Sequence, residues 1–417
     1  MGVQVEMEIK ENVVIVGGGI AGLATALALK KVGIKTLVLE SNHELRTTGA
    51  ALTLYPNAWR ALDALGVSDK LTAIYPILTN ARITDVATGA VQVVSFDGIM
   101  RPVHRSTLLD TLAQELPKDA IRFSSKLKSI ENLRDNGSSI AVLTLEDGTI
   151  VKAKVVIGCD GVHSVVARWL GLSAPIHSGR AAVRGISVYP EGHGMTHELQ
   201  QFIDIRSRGG LVTLNDKELY WFVTYKSAPN VVENRKMKSP ELIQQRMLEN
   251  ITDYPPVFVD VVQHSDLRTL TWAPLMLRVP WNLILSDLYK ENITVAGDAM
   301  HPTTPDLGQG GCSSLEDAVV IARHIGNYFH RNGEFGSDAL KGYTKERRWR
   351  VAMIISASYL SGWIQGSGSG WFMKFFRDKV FYNFFSVLSY NVVHFNCGQL
   401  PKPLLAADEE NSRKKLE

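Results

Sequence analysis

The stretch NVVIVGGGIAGLATALALKKVGIKTLVLE, residues Asn12 to Glu40, has the pattern of a β-α-β unit. Val13 to Val16 is an apolar run typical of a buried parallel strand, and Leu23 to Lys31 carries apolar residues at helical spacing. Thr36 to Leu39 predicts a second strand, after a glycine that ends the helix. A strand, a helix and a second strand in this order predict an α/β chain built around a parallel sheet.

The turn between the first strand and the helix has the form Gly17-x-Gly19-x-x-Gly22. Glycines at these positions allow a tight turn, close approach of a pyrophosphate to the backbone, and close packing of the helix on the strand. The helix N-terminus adds bare N–H groups and a partial positive charge. Glu40 lies 18 residues after Gly22, where a carboxylate can bind ribose hydroxyls. The unit predicts a dinucleotide site without distinguishing FAD from NAD, and the alternative is a glycine-rich turn that binds no ligand.

The composition is that of an ordinary globular protein. The 417 residues suit two or three domains, and hydrophobic and charged residues make up 45% and 21% of the chain. A net charge of +3 gives no reason to expect nucleic acid as a partner. The three cysteines are far apart and form no CxxC pair, which argues against disulfides, a zinc site or a dithiol redox centre. No metal is expected, and a reducing compartment is the simplest interpretation.

The leader before the first strand is short and partly acidic, with neither the apolar segment of a secretory signal nor the character of a transit peptide. No run reaches the ~18 uninterrupted apolar residues of a membrane-spanning helix. We therefore expect a cytoplasmic protein. The aromatic segment Trp371 to Phe385 is interrupted by four charged residues. A helical layer packed on the rest of the protein is the favoured interpretation of this segment, and a membrane-surface contact for a lipophilic substrate is the alternative.

Two further turns rich in glycine and aspartate follow apolar, strand-like runs. One is CDGVHS, Cys159 to Ser164, and the other is GDAMHPTTPDLGQGGCSSLEDA, Gly297 to Ala318. Because the carboxyl ends of parallel strands meet at one edge of a sheet, all three turns can converge on one ligand. Taken alone, the second turn is equally consistent with a plain turn, with Ser164 capping the next helix. In the third, Asp298 can accept hydrogen bonds from a sugar chain, and the glycines let backbone amides face a flat acceptor.

The three turns, in this order, resemble those of the group A flavoprotein monooxygenases, the aromatic hydroxylase family. The motifs are GGGIAG, CDGVHS and GDAMHPTTPDLGQGGCSSLED, and the resemblance extends over roughly Val13 to Trp349. Within that family the chain is most similar to plant monooxygenases related to zeaxanthin epoxidase and to bacterial urate and salicylate hydroxylases. The resemblance implies that the ligand is FAD, bound without a covalent link.

The resemblance also implies roles for particular residues. The first turn would bind the ADP part of FAD, the Asp-Gly pair of the second would contact FAD and NAD(P)H, and Asp298 would bind the ribityl hydroxyls. The amides of Gly308 to Cys312 would hold an isoalloxazine carbonyl. Arg46 and Arg105 are also expected near FAD, and for both the alternative is a role in surface salt bridges. The full set of cofactor-binding candidates is Gly17, Gly19, Ile20, Ala21, Gly22, Glu40, Arg46, Arg105, Asp160, Gly161, Asp298, Pro305, Gly308, Gln309, Gly310, Gly311 and Cys312.

The expected fold is α/β: a Rossmann-like FAD-binding domain of the glutathione-reductase type, an inserted and mainly antiparallel β domain for the substrate, and C-terminal helices. One helix, at about residues 240–251, interrupts the strands of the inserted domain. The long helix after the third turn is expected from Leu315 onward. The expected ranges are 10–75, 101–178 and 278–345 for the FAD-binding domain, 76–100 and 179–277 for the substrate domain, 346–400 for the helical region, and 401–417 for a disordered tail.

The activity that the resemblance implies is a two-stage cycle. NADPH or NADH reduces the flavin, and the reduced flavin binds O2 to form a C4a-hydroperoxide that hydroxylates a small aromatic or heteroaromatic substrate. The absence of a second GxGxxG fits a nicotinamide that visits transiently. The alternatives are an epoxidase acting on an isoprenoid-like alkene and a non-catalytic FAD-binding regulatory protein. A monomer is the expected state.

Candidate substrate residues come from the strand-rich middle of the chain. Arg184 can pair with an anionic substrate. Tyr220 and Phe222 share one face of the predicted strand ELYWFVTY, but the pattern does not tell which face looks inward, and core packing is the favoured role for each aromatic. His301, in its His-Pro turn, is expected to be structural rather than a catalytic base. A covalent flavin link or redox role for Cys312 is disfavoured.

Overall fold

The computed structural model describes residues 8–45, 51–96, 98–135, 138–227, 239–365 and 391–403. In chain order its strands are β1 (Glu8–Val16), β2 (Thr36–Leu39), β3 (Ala51–Leu54), β4 (Asn80–Asp85), β5 (Val91–Ser95), β6 (Arg101–His104), β7 (Ile121–Arg122), β8 (Leu127–Asp135), β9 (Ser138–Leu145), β10 (Ile150–Gly158), β11 (Ile176–Val188), β12 (Leu199–Ile203), β13 (Ser207–Thr213), β14 (Glu218–Lys226), β15 (Thr271–Leu277), β16 (Tyr289–Lys290) and β17 (Ile293–Val295). Its helices are α1 (Ile20–Lys31), α2 (Pro56–Leu65), α3 (Ser68–Thr72), α4 (Arg105–Gln114), α5 (Val165–Trp169), α6 (Pro240–Asn250), α7 (Pro256–Gln263), α8 (Pro280–Leu285), α9 (Gly310–Asn332) and α10 (Ser337–Gln365).

The first sheet carries the β-α-β unit at the start of the chain. Its strand order is β16-β17-β10-β1-β2-β7, and all neighbours from β17 to β7 are parallel. A hairpin of β8 and β9 joins it antiparallel to β10. The last residues of three central strands are in register, Val16 beside Gly158 and Gly158 beside Val295. The three glycine-rich turns therefore leave the sheet at one edge, as predicted.

Helix α1 lies inside the protein rather than on its surface. Every residue from Ala21 to Leu29 is buried, because α1 packs on the sheet and against α9. A helix that is apolar on all sides is stable only where neighbours cover all of them. The turn that begins α1 is thus held by a rigid core.

The second sheet has the order β15-β11-β14-β13-β12-β4-β5, with antiparallel neighbours throughout except for the parallel pair β12 and β4. Along β14, side chains alternate between its two faces. Trp221 and Val223 pack with Phe258 of α7 and Met247 of α6 in a separate hydrophobic core. The opposite face of this sheet is left to line a cavity.

This region contains one helix that was predicted and one that was not. Helix α6 lies where a helix was predicted, whereas α7, with the sequence PVFVDVVQ, was not predicted. Its valines favour a strand in isolation. In the fold, Phe258, Val261 and Val262 share one side of a helical turn and are fully buried against the second sheet, and this packing overrides the local preference.

The C-terminal part differs from the expectation in two ways. Helix α10 crosses the predicted boundary between residues 345 and 346 without a break, because Tyr343, Arg347 and Val351 are buried along one of its sides. Residues 394–403, expected to be helical up to 400, contain no helix or strand. Their backbone is bound instead by other parts of the chain, with Arg60 donating to the carbonyl oxygens of His394 and Phe395.

Two predicted features, the aromatic segment Trp371–Phe385 and the tail from residue 404, lie outside the described residues. Among the helices that are described, none has the length and apolar character needed to cross a bilayer.

Candidate functional site

A cavity of about 440 Å³ lies between the edge of the first sheet and the open face of the second. Twelve of the predicted site residues line it: Ile20, Ala21, Arg105, Gly161, Arg184, Tyr220, Phe222, Asp298, Pro305, Gly308, Gly310 and Gly311. The fold thus brings together residues from all three turns and from the strand-rich middle. Arg46 lies outside the described residues.

The first turn requires its glycines for different reasons. Gly17 has a φ of +107°, and a Cβ there would lie 2.4 Å from the carbonyl oxygen of Cys159. A Cβ on Gly22 would lie 1.9 Å from the carbonyl oxygen of Gly17. Around Gly19, by contrast, a Cβ would meet no atom within 4 Å. The first two glycines let the chain fold tightly, whereas Gly19 leaves open space in front of the helix.

Glu40 is fixed at the end of β2 by bonds to both carboxylate oxygens. The backbone N–H of Gly18 donates to Oε2 over 2.7 Å, and the backbone N–H and Nδ2 of Asn42 donate to Oε1 over 2.8 Å and 2.6 Å. The carboxylate therefore stands beside the glycine turn.

The Asp160 carboxylate in the second turn binds the N-terminus of α5. It accepts hydrogen bonds from the Val165 N–H over 2.7 Å and from the Ser164 hydroxyl, while the Ser164 oxygen itself accepts from the Ala167 N–H. The predicted cap by Ser164 is confirmed, and the capping role of Asp160 was missed. Gly161, with a φ of +78°, lines the cavity. The spacing of an aspartate before a short helix was the available signal for this cap.

Asp298, in the third turn, lines the cavity and its side chain is exposed there. Partial desolvation by the surrounding protein raises the pKa of its carboxyl group, and His301, Arg184 and Arg105 act in the opposite direction. Gly297 before it has a φ of +59°, and a Cβ there would lie 2.7 Å from Cβ of Ala21. This glycine lets the first and third turns touch.

Helix α9 begins at Gly310, five residues before the predicted start, because the glycines themselves form its first turn. The first N–H groups of a helix have no acceptor within it. Gly310 and Gly311 line the cavity, so this end of the helix faces the space between the sheets. The side chains of Gln309 and Cys312 point elsewhere. Gln309 accepts a hydrogen bond from Asn57 over 2.9 Å, and Cys312 is buried, which raises the pKa of its thiol to about 12.

A buried ionic cluster beneath this helix end was not predicted. Glu316 accepts hydrogen bonds from Arg347 over 2.6 Å and from Arg350 over 2.5 Å. Asp317 accepts from Arg347 over 2.6 Å, from the Gly297 N–H over 2.8 Å, and contacts His301 Nε2 at 2.5 Å. The structural role expected for His301 agrees with this position. The available sequence signal was an acidic pair inside the apolar run LEDAVVIA, since buried charges require partners.

Because of this cluster, we expect stability to fall between about pH 4 and pH 2. Although burial alone would raise the pKa of Asp317, His301 and Arg347 lower it from the ordinary 3.8 to about 2. A depressed pKa contributes stability that is present above the unfolded value and is lost as the pH falls through the folded one. Urea unfolding across this range should therefore show a steeper loss for the wild type than for Asp317→Asn. Asp63→Asn, at an exposed carboxyl group, is the control, and equal pH slopes for all three proteins would contradict the prediction.

The second sheet contributes the other wall of the cavity. Tyr220 and Phe222 face it, so the aromatics for which core packing was favoured line the cavity instead. Burial raises the pKa of the Tyr220 hydroxyl, and Arg184 acts in the opposite direction. A Cβ on Gly210 would lie 2.5 Å from the Phe222 ring, so this glycine makes room for the ring. Gln201, Arg208 and Asp306 are among the lining residues that were not predicted.

A parallel sheet whose glycine-rich turns meet at one edge, facing a second sheet across a cavity, is the arrangement of a dinucleotide-binding protein. Residues 10–358 match the FAD-binding domain family, and the chain belongs to this family. The resemblance and the α/β fold class predicted from the sequence are confirmed.

Three comparisons show the range of similar proteins. Monooxygenase 2 of Arabidopsis thaliana is 38% identical over 413 residues, which cover 95% of this chain and 99% of that protein. FAD-dependent urate hydroxylase of Mycolicibacterium vanbaalenii is 27% identical over 356 residues, covering 82% and 86%. The crystal structure of Klebsiella pneumoniae HpxO complexed with FAD and uric acid has a TM-score of 0.78 at 21% identity, covering 95% of this chain and 99% of that one. The two relatives are named as a monooxygenase and as an FAD-dependent urate hydroxylase, and the crystal structure supports the fold.

The residues present fit FAD. The open space in front of Gly19 suits a pyrophosphate, which the N-terminus of α1 would attract. The fixed carboxylate of Glu40 stands where ribose hydroxyls would be bound. The N-terminus of α9 offers bare N–H groups to the cavity.

Proposed function

We propose that this protein is a FAD-dependent monooxygenase that uses NADH or NADPH and O2 to hydroxylate a small aromatic or heteroaromatic compound. The observation that carries the proposal is the composition of the cavity. Glycine-rich turns suited to a flavin face the aromatic side chains of Tyr220 and Phe222 across a space of about 440 Å³. Pockets of roughly 300–1,000 Å³ are typical of small-molecule sites. The substrate is therefore a small molecule rather than a polymer.

In this proposal, each turn holds one part of the cofactor. The turn from Gly17 to Gly22 and the Glu40 carboxylate hold the adenosine diphosphate end. Asp298 accepts hydrogen bonds from the ribityl chain, and Gly161 and Arg105 lie beside it. The N-terminus of α9, at Gly310 and Gly311, faces the flavin ring. This assignment uses each cavity-lining turn for a chemically suitable part of FAD.

Bound FAD supplies electron transfer from the nicotinamide and activation of O2, so that NAD(P)H, a proton, O2 and the substrate give NAD(P)⁺, water and a product with one more oxygen atom. The protein itself orients the reactants and excludes water. The partial positive charge of the α9 N-terminus stabilises negative charge on the reduced ring. Phe222 offers an apolar face to an aromatic substrate. Since burial keeps Tyr220 protonated, its hydroxyl can donate a hydrogen bond to the substrate.

The test is aerobic oxidation of NADH and NADPH by the FAD-loaded protein, measured across phenolic acids, purines and isoprenoids. We expect at least one aromatic compound to stimulate oxidation, with one atom from labelled dioxygen in the product. Catalase and a peroxide assay separate oxygen transfer from the simple reduction of O2. An epoxide formed from an isoprenoid would replace the proposed hydroxylase with an epoxidase. A yellow protein that no compound stimulates would favour a non-catalytic FAD-binding role.

A further inference from the structure

A glutamine of the second sheet has its amide orientation fixed by an arginine. Gln201, on β12, lines the cavity, and its Oε1 accepts a hydrogen bond from Nη2 of Arg208 over 2.6 Å. A guanidinium can only donate hydrogen bonds, so the amide oxygen must be the atom that faces Arg208. The amide nitrogen, with its two N–H donors, is therefore turned away from Arg208.

Arg208 is itself held by a buried carboxylate. Its Nη1 lies 3.8 Å from the carboxylate of Asp306, which also pairs with Arg180 at 2.5 Å. The Asp306 side chain is only 1% exposed, and that of Arg208 is 15% exposed. A buried carboxylate between two arginines restricts the rotation of both, so the amide of Gln201 keeps one orientation.

The Nε2 donors of Gln201 are available to a ligand. Within the ranges that the structure describes, they form no hydrogen bond with another protein group. The adjacent Gln200 differs, because it lies on the other face of β12 and donates through Nε2 to Oε1 of Glu198 over 3.0 Å. A donor that lines a ligand cavity without a protein partner is a site for an acceptor that the ligand brings.

The wall next to this donor is apolar and aromatic. Gly210 of β13 pairs with Gln201 on one side and with Phe222 on the other. A Cβ on Gly210 would lie 2.5 Å from Cζ of Phe222, so the ring extends over Gly210 in the direction of β12. Leu199 and Val212 line the same wall. A ligand that matches this wall has an aromatic or apolar ring and one hydrogen-bond acceptor at its edge.

We propose that Gln201 recognises the substrate by donating a hydrogen bond from Nε2 to a carbonyl oxygen of the aromatic compound. This inference rests on the proposed function, because it assumes that the cavity receives the substrate. The amide carries no net charge, and Asp306 offsets the positive charge of Arg208 behind it, so this part of the wall suits a neutral carbonyl group. The substrate class is then an aromatic ketone or lactam, bound with its ring against Phe222. A compound without the carbonyl leaves the N–H donors unpaired, which should weaken binding about tenfold.

The experiment compares carbonyl compounds with analogues in which a methylene group replaces the carbonyl. The probes are 4-hydroxyacetophenone with 4-ethylphenol, and 3,4-dihydroquinolin-2-one with 1,2,3,4-tetrahydroquinoline. They are titrated by calorimetry into the FAD-loaded protein at a pH that keeps all of them uncharged. We expect at least one carbonyl compound to bind about tenfold tighter than its analogue. Because each pair keeps the ring and its size, this ratio reports the contribution of the carbonyl group.

Variants at two neighbouring positions test whether Gln201 is responsible. Gln201→Met keeps the length of the side chain without a donor, and Gln201→Glu keeps an acceptor for Arg208 while removing the N–H groups. Both should bring the ratio close to one, without changing the FAD content measured by flavin absorbance. Gln200→Met removes an amide from the opposite face of the same strand and should leave the ratio unchanged.

The inference is wrong if no carbonyl compound binds tighter than its analogue, if the preference persists in Gln201→Met and Gln201→Glu, if both of these variants lose FAD, or if Gln200→Met removes the preference equally. Failure of the proposed function gives a different result. Hydroxylation of aromatic compounds without a carbonyl preference keeps the function and rejects the role of Gln201. A carbonyl preference with no oxygen transfer to any compound keeps the recognition site and rejects the monooxygenase.

Discussion

Gly22→Ala is expected to yield a protein that is purified without flavin and is measurably less stable. The added methyl group would lie 1.9 Å from the carbonyl oxygen of Gly17, a backbone atom that cannot rotate away. The first turn and the buried helix α1 must then separate, at a cost of about 1–3 kcal/mol or more for an overpacked core. The FAD affinity should fall at least about 100-fold, since the turn that meets the pyrophosphate changes shape. Flavin absorbance after dialysis and urea unfolding measure the two effects.

Gly19→Ala is the matched variant for this prediction. Its methyl group would enter open space, and its φ of −81° suits alanine, so the apoprotein should unfold at nearly the wild-type urea concentration. Its FAD affinity should still fall, because the methyl group occupies the space assigned to the pyrophosphate. Full flavin content in Gly22→Ala would refute the steric argument. Full content in Gly19→Ala would show that the pyrophosphate lies elsewhere.

Arg347→Ala should lower the free energy of unfolding by about 3–5 kcal/mol, the usual cost of removing one partner from a buried ion pair. Arg347 is fully buried and binds Glu316 and Asp317, each over 2.6 Å. Without it, the two carboxylates keep the side chains of Arg350 and His301 as their partners in this cluster. Since Asp317 also binds the Gly297 N–H, the third turn should loosen and FAD affinity should fall. Urea unfolding of the apoprotein and flavin titration separate these effects.

Lys345→Ala provides the comparison on the same helix. Lys345 is exposed and lies two residues before Arg347, so its removal changes the net charge equally without opening the core. It should change the unfolding free energy by less than about 0.5 kcal/mol. A loss in Arg347→Ala no larger than this would mean that Glu316 and Asp317 find other partners, and the cluster would then not stabilise the third turn.

The flavin side of the site was predictable because it depends on local rules. Gly17, Gly22 and Glu40 stand at spacings that backbone geometry imposes on any β-α-β unit that binds a dinucleotide. The strand before each turn was visible as a short apolar run, and parallel pairing aligned their ends. The start of α9 was misjudged because glycine is rare within helices, although here Gly310 and Gly311 form its first turn.

The substrate side was less predictable, because it depends on contacts between residues far apart in sequence. The alternation along β14 predicted that Tyr220 and Phe222 lie on one face of the strand and Trp221 and Val223 on the other. It did not predict which of the two faces points toward the cavity. Orientation was decided by α6 and α7, which cover the Trp221 side with apolar residues. The pairing of Asp306 with Arg180 and Arg208 joins residues about 100 or more positions apart, and no local pattern encodes it.

By itself, the sequence determined the class of fold and the three turns, because strand periodicity and glycine geometry are local properties of the chain. FAD as the cofactor followed from the resemblance of these turns to a known family. Only the tertiary structure decided which face of the second sheet lines the cavity, which arginines pair with the buried Asp306, and which buried charges contact the third turn. The physical reason is that burial and charge compensation depend on every neighbour in space. Arg208, for example, has its charge partly compensated at the cavity because Asp306, 98 positions away in the chain, lies beside it.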